Sequence, residues 1–146
     1  MNALFEKLAH QFNPFVLLLT RVAVGYMFLL HGTAKFFEFP VSMTKGNGSV
    51  PLFSMFGVAG VLEIVGGILL ILGLFTRLTA FVLVGQMAVA YFMFHAASGG
   101  IFNPMGNKGE AAALFCMVFL LLWHAGAGKF SLDHALNQSE KSFQEG

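Results

Sequence analysis

The sequence predicts an all-α integral membrane protein: a four-helix bundle with short helices at the membrane surface near both ends of the chain. Three observations predict this class. Of the 146 residues, 57% are hydrophobic and 10% are charged, whereas a soluble domain carries about 25% charged residues. The mean hydropathy is +0.76. Four apolar stretches approach the length of about 20 residues that a helix needs to cross a bilayer.

The four predicted spans lie within a single domain of residues 1–146. The first and fourth are short, and they fit a bilayer if flanking residues reach the headgroups. The first span contains one charge, Arg21, and the second contains Glu63. The predicted spans cover residues 14–31, 54–75, 78–97 and 111–126.

The segments between and beyond the spans are predicted to lie at the membrane surface. Residues 1–13 repeat apolar side chains at helical spacing before Pro14, which predicts a surface helix ahead of the first span. Residues 76–77 are expected to form the tight link between spans two and three. Near the C-terminus, Ser131 is expected to cap a second surface helix over residues 132–138.

Arg21 and Glu63 are the ionisable residues that lie well inside predicted spans, where a charge costs about 2.5–3.5 kcal/mol to insert. Their depths along antiparallel helices predict a buried ion pair, formed directly or through another polar group. Such a pair acts either as a clamp between helices or as part of a charged site for a quinone headgroup, an anion or a proton.

Glycines surround these two charges at helical spacing. Small residues let membrane helices approach closely, because packing drives their association. The charged face is therefore predicted to be a packed face that points into the bundle. The predicted packing residues are Gly25, Gly60, Gly66, Gly67 and Gly73.

A second polar cluster is expected near the side of the membrane that lies opposite the two chain termini. His31, Lys35, His95 and Glu110 fall at similar depths in the predicted bundle. They act either as interfacial residues that reach the headgroups or as a titratable pocket, since histidine changes charge near neutral pH. Gln86, a polar residue of the third span, adds to the same candidate pocket.

Metal, disulfide and nucleic-acid chemistry receive little support. The single cysteine, Cys116, excludes an intrachain disulfide or a zinc cluster, and the net charge of +1 gives no basic field for nucleic acid. An alternative interpretation assigns His31 and His95 as haem ligands, or as copper ligands together with nearby methionines. Two histidines without a further motif are weak evidence, so no metal site is expected.

An even number of spans places both termini on the same side of the membrane. The side of the termini carries slightly more basic residues than the opposite side, which predicts cytoplasmic termini. The side of the termini carries Lys7, Arg77, Lys129 and Lys141, and the opposite side carries Lys35, Lys45 and Lys108.

Several short motifs follow one another in a familiar order. Glu63 begins E-x-x-G-G, residues 72–77 read L-G-L-x-T-R, and residues 126–133 read G-x-G-x-x-S-L-D. Together with Arg21 and Lys35, this order resembles the DoxX family of small four-helix bacterial membrane proteins, over about residues 15–133.

The resemblance implies a multi-pass protein of the bacterial inner membrane. It also implies an accessory subunit of a quinone-linked redox or sulfur-oxidation system, with quinone as the candidate cofactor and no catalytic activity expected of the chain on its own. The chain would then lie in the lipid bilayer as a homo-oligomer or as a subunit of a membrane complex. Two alternatives stay open: an oligomeric transporter or channel for a small solute, an anion or protons, and a structural assembly partner of a larger complex.

Overall fold

The computed structural model describes residues 2–144 as helices joined by turns and loops. Three helices are long and apolar enough to cross a membrane, and a fourth apolar helix has 16 residues. The predicted all-α membrane fold is confirmed. The helices are α1 (Asn2–Phe37), α2 (Met55–Leu72), α3 (Thr76–Gly99, with a π-helical segment Tyr91–Ala96), α4 (Glu110–Ala125) and α5 (Leu132–Gln144).

Helix α1 is longer than the predicted first span. It has 36 residues and continues through Pro14 without a break, so the predicted surface segment and the first span form one helix about 54 Å long. Proline removes one backbone hydrogen bond, a loss that helices in membranes tolerate. At its other end, α1 continues beyond His31 to Phe37, and this extension brings Lys35 into the helix.

The turn between α2 and α3 comprises residues 73–75, so it begins three residues earlier and ends two residues earlier than predicted. Gly73 ends α2 in the left-handed conformation at φ 67°, and Phe75 is also left-handed at φ 50°. Thr76 and Arg77, predicted to be the link, are instead the first residues of α3. Gly73, predicted as a packing residue, therefore serves as the C-cap of α2, where glycine has no Cβ to strain.

The C-terminal motif folds back onto this turn. The backbone amides of Phe75 and Thr76 donate to the Asp133 carboxylate at 2.7 and 2.9 Å, and the Asp133 amide donates to the Gly73 carbonyl at 2.9 Å. Ser131 Oγ accepts from the His134 amide at 3.2 Å, as expected of an N-cap. Asp133 therefore caps α3, a helix distant in sequence, while Ser131 caps α5.

Helices α1 and α2 pack through their glycines. A Cβ on Gly25 would lie 2.8 Å from the Gly67 carbonyl oxygen, and a Cβ on Gly32 would lie 2.8 Å from the Gly60 carbonyl oxygen. This register makes the two helices antiparallel. Gly66 faces the other way, and a Cβ there would lie 3.0 Å from the Leu83 side chain of α3. The backbones of α1 and α2 thus touch where a larger residue would separate them.

We expect Gly67→Ala to destabilise the bundle by about 1–3 kcal/mol, as overpacking does in a tight interface. Its Cβ would lie 2.7 Å from the Gly25 carbonyl oxygen, so relief requires the helices to move apart. Gly85→Ala is the matched control, because a Cβ there meets nothing within 4 Å. Alanine at that exposed helical position should be neutral or stabilising. Thermal unfolding in detergent measures both, and equal effects would contradict close packing.

The core lies where the four long helices meet. Phe28 of α1 packs edge-on against Phe119 of α4 with ring centroids 4.9 Å apart. Leu70 and Leu83 are also fully buried there. Helix α1 packs mainly on α2 and α3 mainly on α4, whereas α2 and α3 touch less extensively. The looser contact leaves space between α2 and α3, where the candidate site lies.

Candidate functional site

A buried ion pair joins α1 to α2. Lys35 Nζ lies 2.8 Å from Glu63 Oε1 and 2.5 Å from Glu63 Oε2. The two residues are only 7% and 5% exposed. A buried charge in a membrane requires a partner, and here Lys35 and Glu63 are partners of opposite charge. The pair leaves both helices fixed in one register at this depth.

The predicted ion pair of Arg21 with Glu63 is wrong. Arg21 lies near the C-terminal end of α2, where its guanidinium donates to the carbonyls of Leu70 at 2.7 Å and Ile71 at 2.8 Å. Helical side chains lean toward the N-terminus of their own helix. In this antiparallel pair, that lean carries Arg21 away from Glu63 and carries Lys35 toward it. Depth along the helix axis alone does not contain this direction.

Arg21 ties three segments together instead. Its Nη2 also donates to the Phe130 carbonyl at 2.6 Å, and the residue is only 1% exposed. The carbonyls of Leu70 and Ile71 belong to the last turn of α2, where carbonyls have no donor from a following helical turn, although the Gly73 amide also donates to Leu70 at 3.2 Å. Arg21 therefore satisfies the end of α2 and holds the segment before α5 against it.

Gln86 of α3 joins the ion pair from the third helix. Its Nε2 lies 3.3 Å from the Ala59 carbonyl oxygen and 3.4 Å from Glu63 Oε1. Its Oε1 is buried and accepts no hydrogen bond from any residue in the described range 2–144. A buried acceptor without a donor is costly. Gln86 therefore leaves one buried acceptor beside the ion pair without a donor among these residues.

These polar groups line a cavity between α2 and α3, which we call the ion-pair cavity. Its volume is about 540 Å³. Lys35, Glu63, Gln86 and His95 lie among a larger number of apolar side chains. Several of the apolar lining residues are themselves exposed, so the cavity opens on the apolar outer surface of α2 and α3. The apolar lining includes Met43, Met55, Phe56, Ala59, Val82 and Phe94.

The predicted cluster of His31, Lys35, His95 and Glu110 is divided. Lys35 and His95 line the ion-pair cavity, whereas His31 and Glu110 do not. The exposed His31 ring packs edge-on against Phe115 of α4, at 5.9 Å between centroids. Glu110 is exposed at the start of α4. The predicted cluster therefore does not form as one pocket, because only two of its members face the ion-pair cavity.

Asn107 is a buried residue that the sequence reasoning missed. It is 5% exposed, its Nδ2 donates to the Gly100 carbonyl at 2.8 Å, and its Oδ1 accepts from the Gly109 amide at 2.7 Å. The Asn107 carbonyl oxygen lies 3.2 Å from His95 Nδ1. Asparagine in a glycine-rich loop was the available signal. Asn107 thus folds the loop before α4 and orients the histidine that lines the cavity.

No metal centre is assembled from the described residues. Among residues 2–144, the structure brings together no group of three His, Cys, Asp or Glu side chains able to hold a metal ion. Cys116 is half-buried, with its Sγ 3.7 Å from the Val84 carbonyl oxygen of α3. The polar groups of the ion-pair cavity are instead suited to hydrogen bonding.

The loop after α1 is organised by Glu38. Its Oε1 accepts hydrogen bonds from the Thr44 and Ser42 hydroxyls and from the Gly48 amide. Hydrogen bonds from Thr44 and then Ser42 lower the pKa of the Glu38 carboxyl. The loop carries Met43, which lines the ion-pair cavity. The hydrogen bonds to Glu38 therefore hold together a segment at the cavity wall.

We expect this loop to become more mobile on acidification. Folding lowers the pKa of Glu38, so the ionised carboxylate stabilises the folded loop. This stabilisation is fully present above the unfolded pKa of about 4.3, and it is lost as the pH falls through the folded pKa. A spin label at Lys45→Cys in a Cys116→Ala background measures the mobility. Glu38→Gln should abolish the pH dependence, and Glu140→Gln should keep it. Unchanged mobility down to pH 2 would contradict the role of Glu38.

Comparison with known proteins agrees with this architecture. A model of the DoxX family matches residues 16–96, more than half of the chain. An uncharacterized protein of Haemophilus influenzae is 54% identical over 125 residues, which cover 85% of this chain and 92% of the relative. No solved structure matches.

Two further relatives are membrane proteins. An uncharacterized membrane protein of Mycobacterium tuberculosis is 33% identical over 148 residues, covering 92% of this chain and 89% of the relative. The inner membrane protein YphA of Escherichia coli is 28% identical over 128 residues, covering 83% and 90%. With its apolar helices and these matches, the chain belongs to the DoxX family of membrane proteins.

Proposed function

We propose that the ion-pair cavity binds the headgroup of a quinone and that the chain is an accessory membrane subunit of a quinone-linked redox system. A quinone combines a ring bearing two carbonyl acceptors with an apolar tail. The cavity matches that division, since polar side chains occupy one part and apolar side chains the rest. When bound, a quinone carries electrons and protons between membrane partners.

The buried, unpartnered Oε1 of Gln86 is the observation that carries this proposal. Gln86 Oε1 and the Glu63 carboxylate can accept from a hydroxyl, while Lys35 Nζ or Gln86 Nε2 can donate to a carbonyl oxygen by exchanging one of its present hydrogen bonds. The cavity therefore offers partners to both the oxidised and the reduced headgroup. An entirely apolar lipid tail would leave these groups without partners.

The lateral opening supports entry from the bilayer. Val58, Val82 and Val89 line the ion-pair cavity and are 53%, 41% and 47% exposed. An isoprenoid tail can lie against these side chains while the headgroup lies inside. Quinones are dissolved in the bilayer core, so access from lipid is the route that their solubility requires.

Thermal stabilisation by a short-tailed ubiquinone in detergent tests the proposal. A ligand at a hundredfold excess over its Kd stabilises by about 2.7 kcal/mol, which raises Tm by roughly 5–10 °C for a chain of this size. Gln86→Leu should reduce the rise by removing both hydrogen-bonding atoms. Ala59→Trp should abolish it by filling the cavity, while Ala111→Trp, at an exposed position on α4, should leave it intact.

Equal stabilisation of all four proteins would contradict a site in the ion-pair cavity. Solute uptake by sealed vesicles that disappears on Glu63→Gln, without any response to quinone, would favour a transporter instead. The subunit role is tested separately. A redox partner that co-purifies with the untagged protein in mild detergent supports it, and a protein that is stable and monomeric alone contradicts it.

A further inference from the structure

A second cavity lies at the opposite end of the bundle, and we call it the basic cavity. It has a volume of about 580 Å³ and is formed where α3 begins, α4 ends and α5 begins. Its lining includes the basic residues Arg77 and Lys129 and the polar residues Thr76 and Asn137. The basic cavity and the ion-pair cavity have no lining residue in common, so they are separate cavities.

The basic side chains of the basic cavity carry N–H donors that have no hydrogen-bond acceptor in the described part of the chain. Arg77 Nη1 donates to the carbonyls of Trp123 and His124, both at 2.7 Å. Its remaining nitrogens and the Lys129 ammonium donate to no acceptor in the described part of the chain. Asp133 is the acid in the lining, and the amides of Phe75 and Thr76 already engage its carboxylate. A net positive charge therefore faces the cavity.

Polar groups of the first turn of α3 also lack partners. Thr76 is fully buried at 0% exposure, and within residues 2–144 its Oγ1 has no hydrogen-bond partner. Asp133 satisfies the first amides of the helix, which leaves the later amides of the turn, those of Arg77 and Leu78, without acceptors among the same residues. Unpaired donors beside positive charge are the features that hold a phosphate group.

An apolar groove adjoins the basic cavity. It has a volume of about 220 Å³, lies between α2 and α3, and is lined by Leu62, Val65 and Leu69 among other apolar residues. Phe75 and Leu78 line both the groove and the basic cavity. A molecule with a phosphate in the cavity can therefore extend an apolar chain directly into the groove.

We propose that the basic cavity and the apolar groove together bind an anionic glycerophospholipid. Its phosphate lies between Arg77 and Lys129, and one acyl chain lies along the groove against Leu78. Free phosphate shares the headgroup chemistry but has no use for the groove. The continuous apolar path therefore favours a lipid over a free phosphate ion.

Native mass spectrometry of the delipidated protein, titrated with phosphatidylglycerol or phosphatidylethanolamine, tests the site. We expect tighter binding of phosphatidylglycerol. Lys129→Gln should weaken it about fivefold, the contribution of one basic side chain near anionic headgroups. Lys141→Gln removes the same charge from α5 outside the cavity lining and should have little effect. Lys129 makes no hydrogen bond to the described residues, so the variant should fold, which its Tm checks.

A second pair of variants tests the acyl chain. Val65→Trp should block the apolar groove and weaken phosphatidylglycerol binding, while Val61→Trp, on the same helix outside the groove lining, should not. Equal binding of the two lipids, or equal effects of Lys129→Gln and Lys141→Gln, would overturn the proposal. Displacement of the lipid by millimolar inorganic phosphate, together with no effect of Val65→Trp, would assign the site to free phosphate and would also overturn it.

Discussion

Replacing Glu63 by methionine should destabilise the bundle by about 3–5 kcal/mol, the cost of leaving one member of a buried ion pair without its partner. Lys35 is 7% exposed, and its ammonium has the Glu63 carboxylate as its charged partner. Lys35→Met should cost a similar amount for the converse reason. Thermal or denaturant unfolding in detergent measures both variants.

The double variant Lys35→Met/Glu63→Met should recover most of the lost stability, because two apolar side chains of similar length avoid both buried charges. Lys45→Met, in the exposed loop after α1, is the control for losing a lysine and should change stability by less than about 0.5 kcal/mol. If the double variant is as unstable as the sum of the single variants, Lys35 and Glu63 do not form the pair.

Arg21→Met should destabilise the bundle by at least about 3 kcal/mol. It removes three hydrogen bonds from a charged donor to the carbonyls of Leu70, Ile71 and Phe130, and bonds of this kind contribute about 1.5–3 kcal/mol each. Arg77→Met removes two comparable bonds at an exposed position and should cost less. Equal losses in the two variants would contradict the buried clamp.

The two predictions are independent of each other. Arg21 lies beside Leu70, which is seven residues from Glu63 and therefore about 10 Å along α2. The effects of Arg21→Met and Glu63→Met should add within about 0.5 kcal/mol, as expected for sites without shared partners. A large coupling energy between them would restore the ion pair that the sequence suggested.

The fold was accessible from sequence because its determinants are local. Long apolar stretches predict the membrane helices, and Arg21 and Glu63 were recognisable as important because charge is rare in such stretches. Their partners were not local. Lys35 seemed to follow the first span, whereas α1 extends to Phe37 and turns the Lys35 side chain back toward Glu63.

The other features that the sequence did not predict depend on the direction of side chains and on the structure of loops. Equal depth suggested one cluster of histidines and charges, but His31 points toward Phe115 while His95 lines the ion-pair cavity. Asn107 lies in a loop without hydrophobic periodicity, so its burial could not be read from a pattern. Asp133 reads as an N-terminal residue of its own helix, and its role as the cap of α3 depends on a tertiary contact.

A photoreactive quinone locates the bound headgroup, because mass spectrometry identifies the residues that it labels. We expect labels on α2 and α3 at residues lining the ion-pair cavity, such as Ala59, Gln86 and Phe94, with labelling suppressed by excess ubiquinone and by Ala59→Trp. Labels spread evenly over lipid-facing residues such as Leu114 and Leu121 of α4, and unaffected by competitor, would contradict it.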